Sequence, residues 1–218
     1  DWSSDVCSSD LCLANRITYS RSACDKRACS KFREAYDGGG NVRDWNIKIS
    51  PDFSESEKAT IEIAIRAIPA CWKKYFEGLE FKKKRLFWIN QRGGSSRGGF
   101  FACEAGKAKL WEKKVDLDPY CGITVGIVAH ELFHVLGERS ALRKRWEGEN
   151  FTEGKCPVTK YGALSPYEDF AEAGRLLLFP QNDGWSESME DGDCVQNKIE
   201  NLGRVLVKCE DWNGRLSP

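Results

Sequence analysis

The sequence has little histidine, little methionine and no excess of charge of either sign. Its 218 residues include two histidines and one methionine, and 33 basic side chains are balanced by 33 acidic ones. A neutral chain has no strong electrostatic attraction to nucleic acid, so we expect no nucleic-acid partner. No stretch approaches the roughly 18 consecutive apolar residues of a transmembrane helix, so we expect no membrane span.

Cysteine, in contrast, is abundant, with ten in the chain. The cysteines are scattered rather than grouped in Cys-x-x-Cys pairs, a pattern that favours disulfide bonds and an oxidising compartment. We therefore expect a secreted, disulfide-bonded protein. A structural zinc site that includes Cys24 and Cys29 is a weaker alternative, because their spacing is unusual for such a site.

The two histidines lie in one mostly apolar segment, Gly122–Gly137, which predicts a buried helix. His130 and His134 are four residues apart, so on a helix their rings share one face, at a separation that a single Zn²⁺ can bridge. Glu131 follows the first histidine, where its carboxylate can take a proton from a metal-bound water. The competing interpretation is that two core histidines fall at this spacing by chance. The following glutamate and the apolar surroundings favour the zinc site.

A catalytic zinc site usually has three protein ligands and one position left for water. The pattern with three zinc-binding histidines requires the third one six residues after His134, but that residue is Ser140, and the chain has no other histidine. The third ligand is therefore expected to be a carboxylate or, as a weaker alternative, a thiolate.

Carboxylates of the required kind follow a helix start signal further along the chain. Ser165 is a good N-cap and Pro166 suits the first helical position. Glu168 and Glu172 then lie four apart on the same face, whereas Asp169 points elsewhere. The alternative is that these acidic residues only interact favourably with the helix dipole.

Taken together, three short motifs resemble a known family. His-Glu-Leu-Phe-His at 130–134, Tyr-Gly at 161–162 and Glu-Asp-Phe-Ala-Glu-Ala-Gly-Arg-Leu at 168–176 are similar to the gluzincin-type zinc metallopeptidases, the family of the anthrax lethal factor catalytic domain. The resemblance covers roughly residues 120–180.

This resemblance implies a role for each matching residue. The implied zinc ligands are His130, His134 and Glu168. Glu131 would be the general base, and Tyr161 would lie beside the metal and stabilise the oxyanion or the leaving group. Glu172 would be a partner of a ligand histidine. Asp169 remains an alternative to Glu168 as the third ligand.

The expected fold is an α+β, zincin-like metallopeptidase domain with a small mixed sheet, a buried active-site helix and C-terminal helices. Residues 1–11, which resemble a translated sequencing adapter, are expected to be non-native or disordered. Residues 12–43 would form a cysteine-bearing N-terminal extension, and residues 44–218 the domain. The sequence lacks an initiating methionine and a signal peptide, so we expect a fragment or a mature form.

Local patterns predict the elements of this domain. Ser54 to Glu57 resembles a capping box that opens a helix, and the apolar pattern continues to Phe76, so Pro69 is expected to kink this helix rather than end it. Residues 108–116 are expected to form the edge strand that receives a substrate peptide. The remaining expected elements are a helix around 27–36, strands at 44–50, 85–90, 100–103 and 109–115, and a closing helix at 194–209. Residues 138–160 are expected to be charged and loop-like, with residues 143–145 exposed on a helical extension, and residues 180–193 are expected to form an acidic loop.

These observations predict a zinc-dependent endopeptidase that hydrolyses peptide bonds through a metal-activated water, with Glu131 as general base. The partner would be a peptide or protein substrate, and the chain would act as a monomer. One alternative is a catalytically silent relative that uses the cleft to bind a protein partner. Another is a structural zinc site, which would need a fourth protein ligand.

Overall fold

A computed structural model describes residues 42–86, 106–149, 156–179 and 192–209. These residues form an α+β fold, as predicted, in which several helices pack with one small sheet. The helices are α1 (Glu55–Arg66), α2 (Val125–Ser140), α3 (Leu142–Glu149), α4 (Pro166–Leu178) and α5 (Gly192–Lys208). The strands are β1 (Lys48–Ile49), β2 (Glu80–Lys83), β3 (Gly106–Lys109) and β4 (Lys114–Leu117). The expectations for residues 1–11, a helix at 27–36, a strand at 100–103 and a loop at 180–191 fall outside the described residues.

The sheet is mixed, with strand order β1-β2-β4-β3. β1, β2 and β4 run parallel, and β3 pairs antiparallel with β4. Alternation along the strands divides the side chains between two faces, and Phe81, Val115 and Leu117 are fully buried in the core that the helices share. β3 lies at the end of the strand order next to α2, so the sheet brings its antiparallel strand to the histidine helix.

The β3–β4 hairpin differs in detail from the strands expected at 108–116 and 109–115. The antiparallel end strand is Gly106–Lys109, and a 3₁₀ turn over Leu110–Glu112 separates it from β4. The range predicted as one edge strand, 108–116, therefore includes the end of β3, the turn and most of β4. The apolar residues of the turn continued the strand-like pattern, so the sequence did not mark the reversal of direction.

Three other expected boundaries were wrong. The first expected strand is shorter, because Val42–Trp45 forms a 3₁₀ helix and only β1 follows it. No strand begins at residue 85: residues 85 and 86 follow β2 without being part of a strand, and residues 87–90 are outside the described ranges. The segment expected to be mostly loop-like at 138–160 includes the end of α2 and the whole of α3, so the helical extension expected at 143–145 is present but longer than expected.

The helix that starts at Ser54 has the predicted capping box, but it does not continue through Pro69. The Ser54 hydroxyl accepts a hydrogen bond from the Glu57 backbone N–H, and the Glu57 carboxylate accepts one from the Ser54 N–H. α1 ends at Arg66, and a 3₁₀ helix starts after Pro69, which has no N–H to donate to a continuing helix. The apolar pattern persists beyond the break because Trp72 in the 3₁₀ segment is also fully buried.

Disulfide bonds fasten the C-terminal helix, in agreement with the cysteine content. Cys71 is bonded to Cys209, and Cys156 to Cys194, so each end of α5 is tied to an earlier part of the chain. Cys121 is disulfide-bonded as well. Within the described ranges, no helix has the length and apolar character needed to cross a membrane.

Among the described residues, helices α2 and α4 share the most extensive helix contact, and a glycine permits it. A Cβ atom added to Gly174 of α4 would lie 2.1–2.3 Å from three ring atoms of Phe133 on α2. Phe133 is fully buried, so its ring has no free space to move into. The small residue at 174 therefore sets the distance between the two helices.

Replacing Gly174 by alanine should accordingly lower the free energy of unfolding by about 1–3 kcal/mol, the usual cost of overpacking a core. Gly148→Ala is the matched control, because that glycine is an exposed residue of α3 and no atom lies within 4 Å of the added Cβ. The control should gain up to about 1 kcal/mol from helix propensity. Urea denaturation of both variants measures the difference. Equal or greater stability of Gly174→Ala would contradict the close packing.

Candidate metal centre

The helix predicted around the two histidines is α2. Thr124 caps its first turn by accepting a hydrogen bond from the Ile127 N–H at 3.2 Å. Apolar residues surround most of the helix, and both histidines and Glu131 are buried. Burial of three polar side chains on one apolar helix is costly unless each of them has a polar partner or a ligand.

The N-terminus of α4 faces this helix, and its capping residues place Glu168. The Ser165 hydroxyl accepts a hydrogen bond from the Glu168 N–H at 3.2 Å, and Pro166 occupies the start of the helix. Both features match the sequence-based expectation. They fix the first turn of α4, so the Glu168 side chain leaves the helix in one direction, toward the histidines.

Three donor atoms converge between α2 and α4. The Nε2 atoms of His130 and His134 are 2.9 Å apart, and Glu168 Oε2 lies 3.0 Å from the first and 3.2 Å from the second. Ligand atoms on a tetrahedral zinc ion with bonds of about 2.0–2.1 Å are separated by about 3.3 Å, so the observed triangle is close to that size. His130, His134 and Glu168 therefore form a group that could hold a metal ion. Among the described residues this group has three members, which leaves a coordination position for water or substrate.

Glu172 and Arg175 orient His130. The Nδ1 atom of His130 is 2.9 Å from Glu172 Oε1, and Glu172 in turn accepts hydrogen bonds from Arg175 Nε at 2.9 Å and Nη2 at 3.1 Å. All three side chains are almost completely buried. A carboxylate on Nδ1 favours the tautomer in which Nδ1 carries the hydrogen, so the Nε2 lone pair is available to a metal. The structure thus brings Glu172 to the place that the sequence predicted for it.

The same contacts shift the pKa values in the metal-free protein. Burial lowers the pKa of His130, but hydrogen bonds to Glu168 and Glu172 outweigh burial and raise it to about 9. Burial and the nearby charge of His130 lower the pKa of His134 to about 4. Burial raises the pKa of Glu168, but the two histidines outweigh it and lower the value to about 2. These shifts favour a positive charge on His130 in the metal-free protein, and a metal ion that binds at Nε2 would have to displace the additional proton.

Asp169, the alternative third ligand, is directed away from the histidines. Its Oδ1 accepts a hydrogen bond from the Val158 N–H at 2.7 Å, and its Oδ2 accepts from Trp146 Nε1 at 2.9 Å and Lys198 Nζ at 2.9 Å. Lys198 also donates to the Cys156 carbonyl at 2.6 Å. This fully buried carboxylate joins α3, α4, α5 and the segment before Tyr161, so its role is structural.

Glu131 lies where α2 meets strand β3. A Cβ atom built on Gly106 would be 2.6 Å from Glu131 Oε1 and 2.7 Å from its Cγ, so only glycine allows the strand to come this close. The carboxylate is therefore packed under the antiparallel end strand of the sheet. Any larger residue at 106 would displace either the strand or the glutamate.

Tyr161 lies beside the site, as expected. Its ring centroid is 5.6 Å from that of His130, with an angle of 59° between the ring planes. It precedes a short 3₁₀ helix, Gly162–Leu164, that leads directly into the cap of α4. The structure thus brings His130, His134, Glu168, Glu172 and Tyr161 together around the α2–α4 contact, whereas Glu131 lies between α2 and β3.

Sequence reasoning missed four residues that shape the site: Gly106, Trp146, Tyr167 and Lys198. Trp146 and Lys198 bind Asp169, and no local pattern connects residues that lie 23 and 29 positions away from it. Tyr167 is adjacent to Glu168, so its position in the first turn of α4 was the one available signal. Comparison with protein-family models, curated proteins and solved structures found no match for this chain.

Proposed function

We propose that this chain is a zinc-dependent endopeptidase of the gluzincin type with a zincin-like fold. The observation that carries the proposal is the convergence of three donor atoms, 2.9–3.2 Å apart, on a helix that also bears Glu131. Catalytic zinc in several hydrolases is bound by two imidazoles and one carboxylate, and its fourth coordination position is left for water or substrate. An imidazole-rich site also suits zinc better than the oxygen-preferring Mg²⁺ or Ca²⁺.

When bound, zinc supplies a Lewis acid that lowers the pKa of a water molecule at the site to about 7. His130, His134 and Glu168 would hold the zinc ion. Glu131 would accept a proton from the attacking water as the water oxygen bonds to the carbonyl carbon, and would pass that proton to the amine that leaves as the C–N bond breaks. The Tyr161 hydroxyl donates a hydrogen bond to the oxygen on which negative charge develops. Glu172 holds His130 in place throughout.

Strand β3 is the proposed docking place for the substrate. Within the described ranges β3 is the end strand of the sheet and pairs with β4, and the proposal is that an extended peptide adds along this end of the sheet. Gly106 places this strand against Glu131, and so a peptide bound along β3 would present its carbonyl groups next to the general base. We propose a monomer that acts on peptides or proteins, and we propose that it is secreted, because disulfide bonds persist in oxidising compartments.

The test is hydrolysis of a mixed peptide library by the zinc-loaded protein, followed by mass spectrometry of the products. We expect new peptide termini, loss of cleavage after zinc is removed with 1,10-phenanthroline, and recovery when zinc but not magnesium is added back. A protein that binds about one zinc per chain and cleaves no member of the library would favour the alternative, a silent relative that binds a protein partner.

A further inference from the structure

The two histidines of the site are held by different means. His130 has a hydrogen-bond partner on Nδ1, the Glu172 carboxylate. The Nδ1 atom of His134 is also buried, yet it has no hydrogen-bond partner in the part of the chain that the structure describes. A ligand histidine normally relies on such a bond to fix its ring orientation. Among the described residues, the ring of His134 has a different kind of contact.

That contact is an aromatic stack with Tyr167. The two ring centroids are 3.9 Å apart and the ring planes differ by 15°, so the rings lie nearly parallel and in van der Waals contact. Stacking of this kind restrains the tilt of the imidazole plane and the direction of its Nε2 lone pair. The ring contacts of His130 are not parallel: the ring of His134 is 4.5 Å away at 86°, and that of Tyr161 is 5.6 Å away at 59°.

Tyr167 is itself held in a fixed position. It lies in the first turn of α4, directly before Glu168, so one turn of helix carries both a donor atom and the stacked ring. The Arg143 guanidinium lies over the tyrosine ring, 5.7 Å from its centroid. Arg143 is in turn bound by Glu138 at 2.6 Å and by Glu147 at 2.5 Å. The ring is thus supported by both α3 and α4.

We propose that Tyr167 is a positioning residue that orients His134 by stacking, in the role that the Glu172 carboxylate has for His130. The inference rests on the proposed zinc site and adds to it a requirement for an aromatic ring at 167. The hydroxyl group has no part in the stack. Phenylalanine should therefore replace tyrosine with little effect, whereas leucine, of similar bulk but without a flat ring, should not.

The experiment compares zinc affinity, measured by competition with a chromophoric chelator at fixed pH, for wild type, Tyr167→Phe, Tyr167→Leu and Glu172→Gln. We expect Tyr167→Phe to remain within about threefold of wild type, and Tyr167→Leu to weaken binding by about 10–100-fold, as the loss of a group that orients a ligand does. Glu172→Gln, which weakens the hydrogen bond that orients His130, should lower zinc affinity by a similar factor. The visible spectrum of the cobalt-loaded proteins gives a second readout, which should change in Tyr167→Leu and not in Tyr167→Phe.

The outcomes separate this inference from the proposed function. Equal zinc affinity in wild type and Tyr167→Leu, or an equal loss in the phenylalanine and leucine variants, would contradict stacking as the cause. A lower unfolding midpoint of zinc-free Tyr167→Leu with unchanged zinc affinity would show a purely structural role, and would also contradict it. Absence of zinc from the wild type would overturn the metal site itself. Zinc binding without peptide cleavage would overturn the peptidase proposal and leave the stacking inference standing.

Discussion

Glu168→Ala should lower zinc affinity by more than about 100-fold, which exceeds the 10–100-fold loss typical of a residue that only orients a ligand. The reason is that Glu168 Oε2 completes the donor triangle, at 3.0 and 3.2 Å from the two histidine nitrogens. Without the Glu168 carboxylate, the site has two imidazole ligands, and water has to fill the remaining coordination positions. Elemental analysis should find about one zinc per chain in wild type and almost none in the variant after dialysis against a weak chelator.

One further variant tests whether the loss of zinc is specific to Glu168. Asp169→Asn should keep its zinc, because the carboxylate at 169 binds Trp146, Val158 and Lys198 rather than the histidines. It should instead unfold at a lower temperature, since it loses the charge that pairs with buried Lys198. Zinc that is retained in Glu168→Ala but lost in folded Asp169→Asn would reverse the ligand assignment.

Glu131→Gln should retain one zinc per chain and lose peptide hydrolysis by about 10²–10⁴-fold, the usual contribution of a general base. Glutamine has nearly the same shape as glutamate, so it fits in the narrow space under Gly106, but it cannot accept the proton of the attacking water. The measurement is kcat/KM on a peptide found in the library screen, with zinc content determined on the same samples.

Tyr161→Phe is the comparison variant for Glu131→Gln. It removes a hydroxyl that would stabilise the developing oxyanion, a contribution worth up to about 10²–10³-fold, and it leaves the proton acceptor intact. Hydrolysis by Glu131→Gln at nearly the wild-type rate would show that another group takes the proton. Loss of zinc from Glu131→Gln would show that Glu131 contributes to metal binding rather than to proton transfer.

Sequence-based predictions were correct where all the residues concerned lie on one helix. The spacing of His130 and His134, the cap at Ser165 and the common face of Glu168 and Glu172 all follow from 3.6 residues per turn, and the structure reproduces each of them. Helix α5 was likewise predicted from its apolar period and is present. Strands were predicted less well. β1 has two residues and a 3₁₀ turn interrupts the hairpin, so the strands are too short to show a clear alternation of apolar and polar residues.

What the sequence determined by itself is therefore the chemistry on each helix: two imidazoles and a glutamate on α2, and a carboxylate near the start of α4. Elimination also narrowed the third ligand, because no third histidine exists in the chain. These conclusions depend on backbone geometry within a few residues, which the amino-acid types specify directly.

Tertiary structure alone decided how those groups meet. The contact of Gly174 with Phe133 sets the distance between α2 and α4, and that distance brings Glu168 within 3.2 Å of residues more than 30 positions away. The same packing turns Asp169 inward to Lys198 and stacks Tyr167 on His134. Such contacts depend on the shapes of side chains far apart in the chain, so no local period could reveal them.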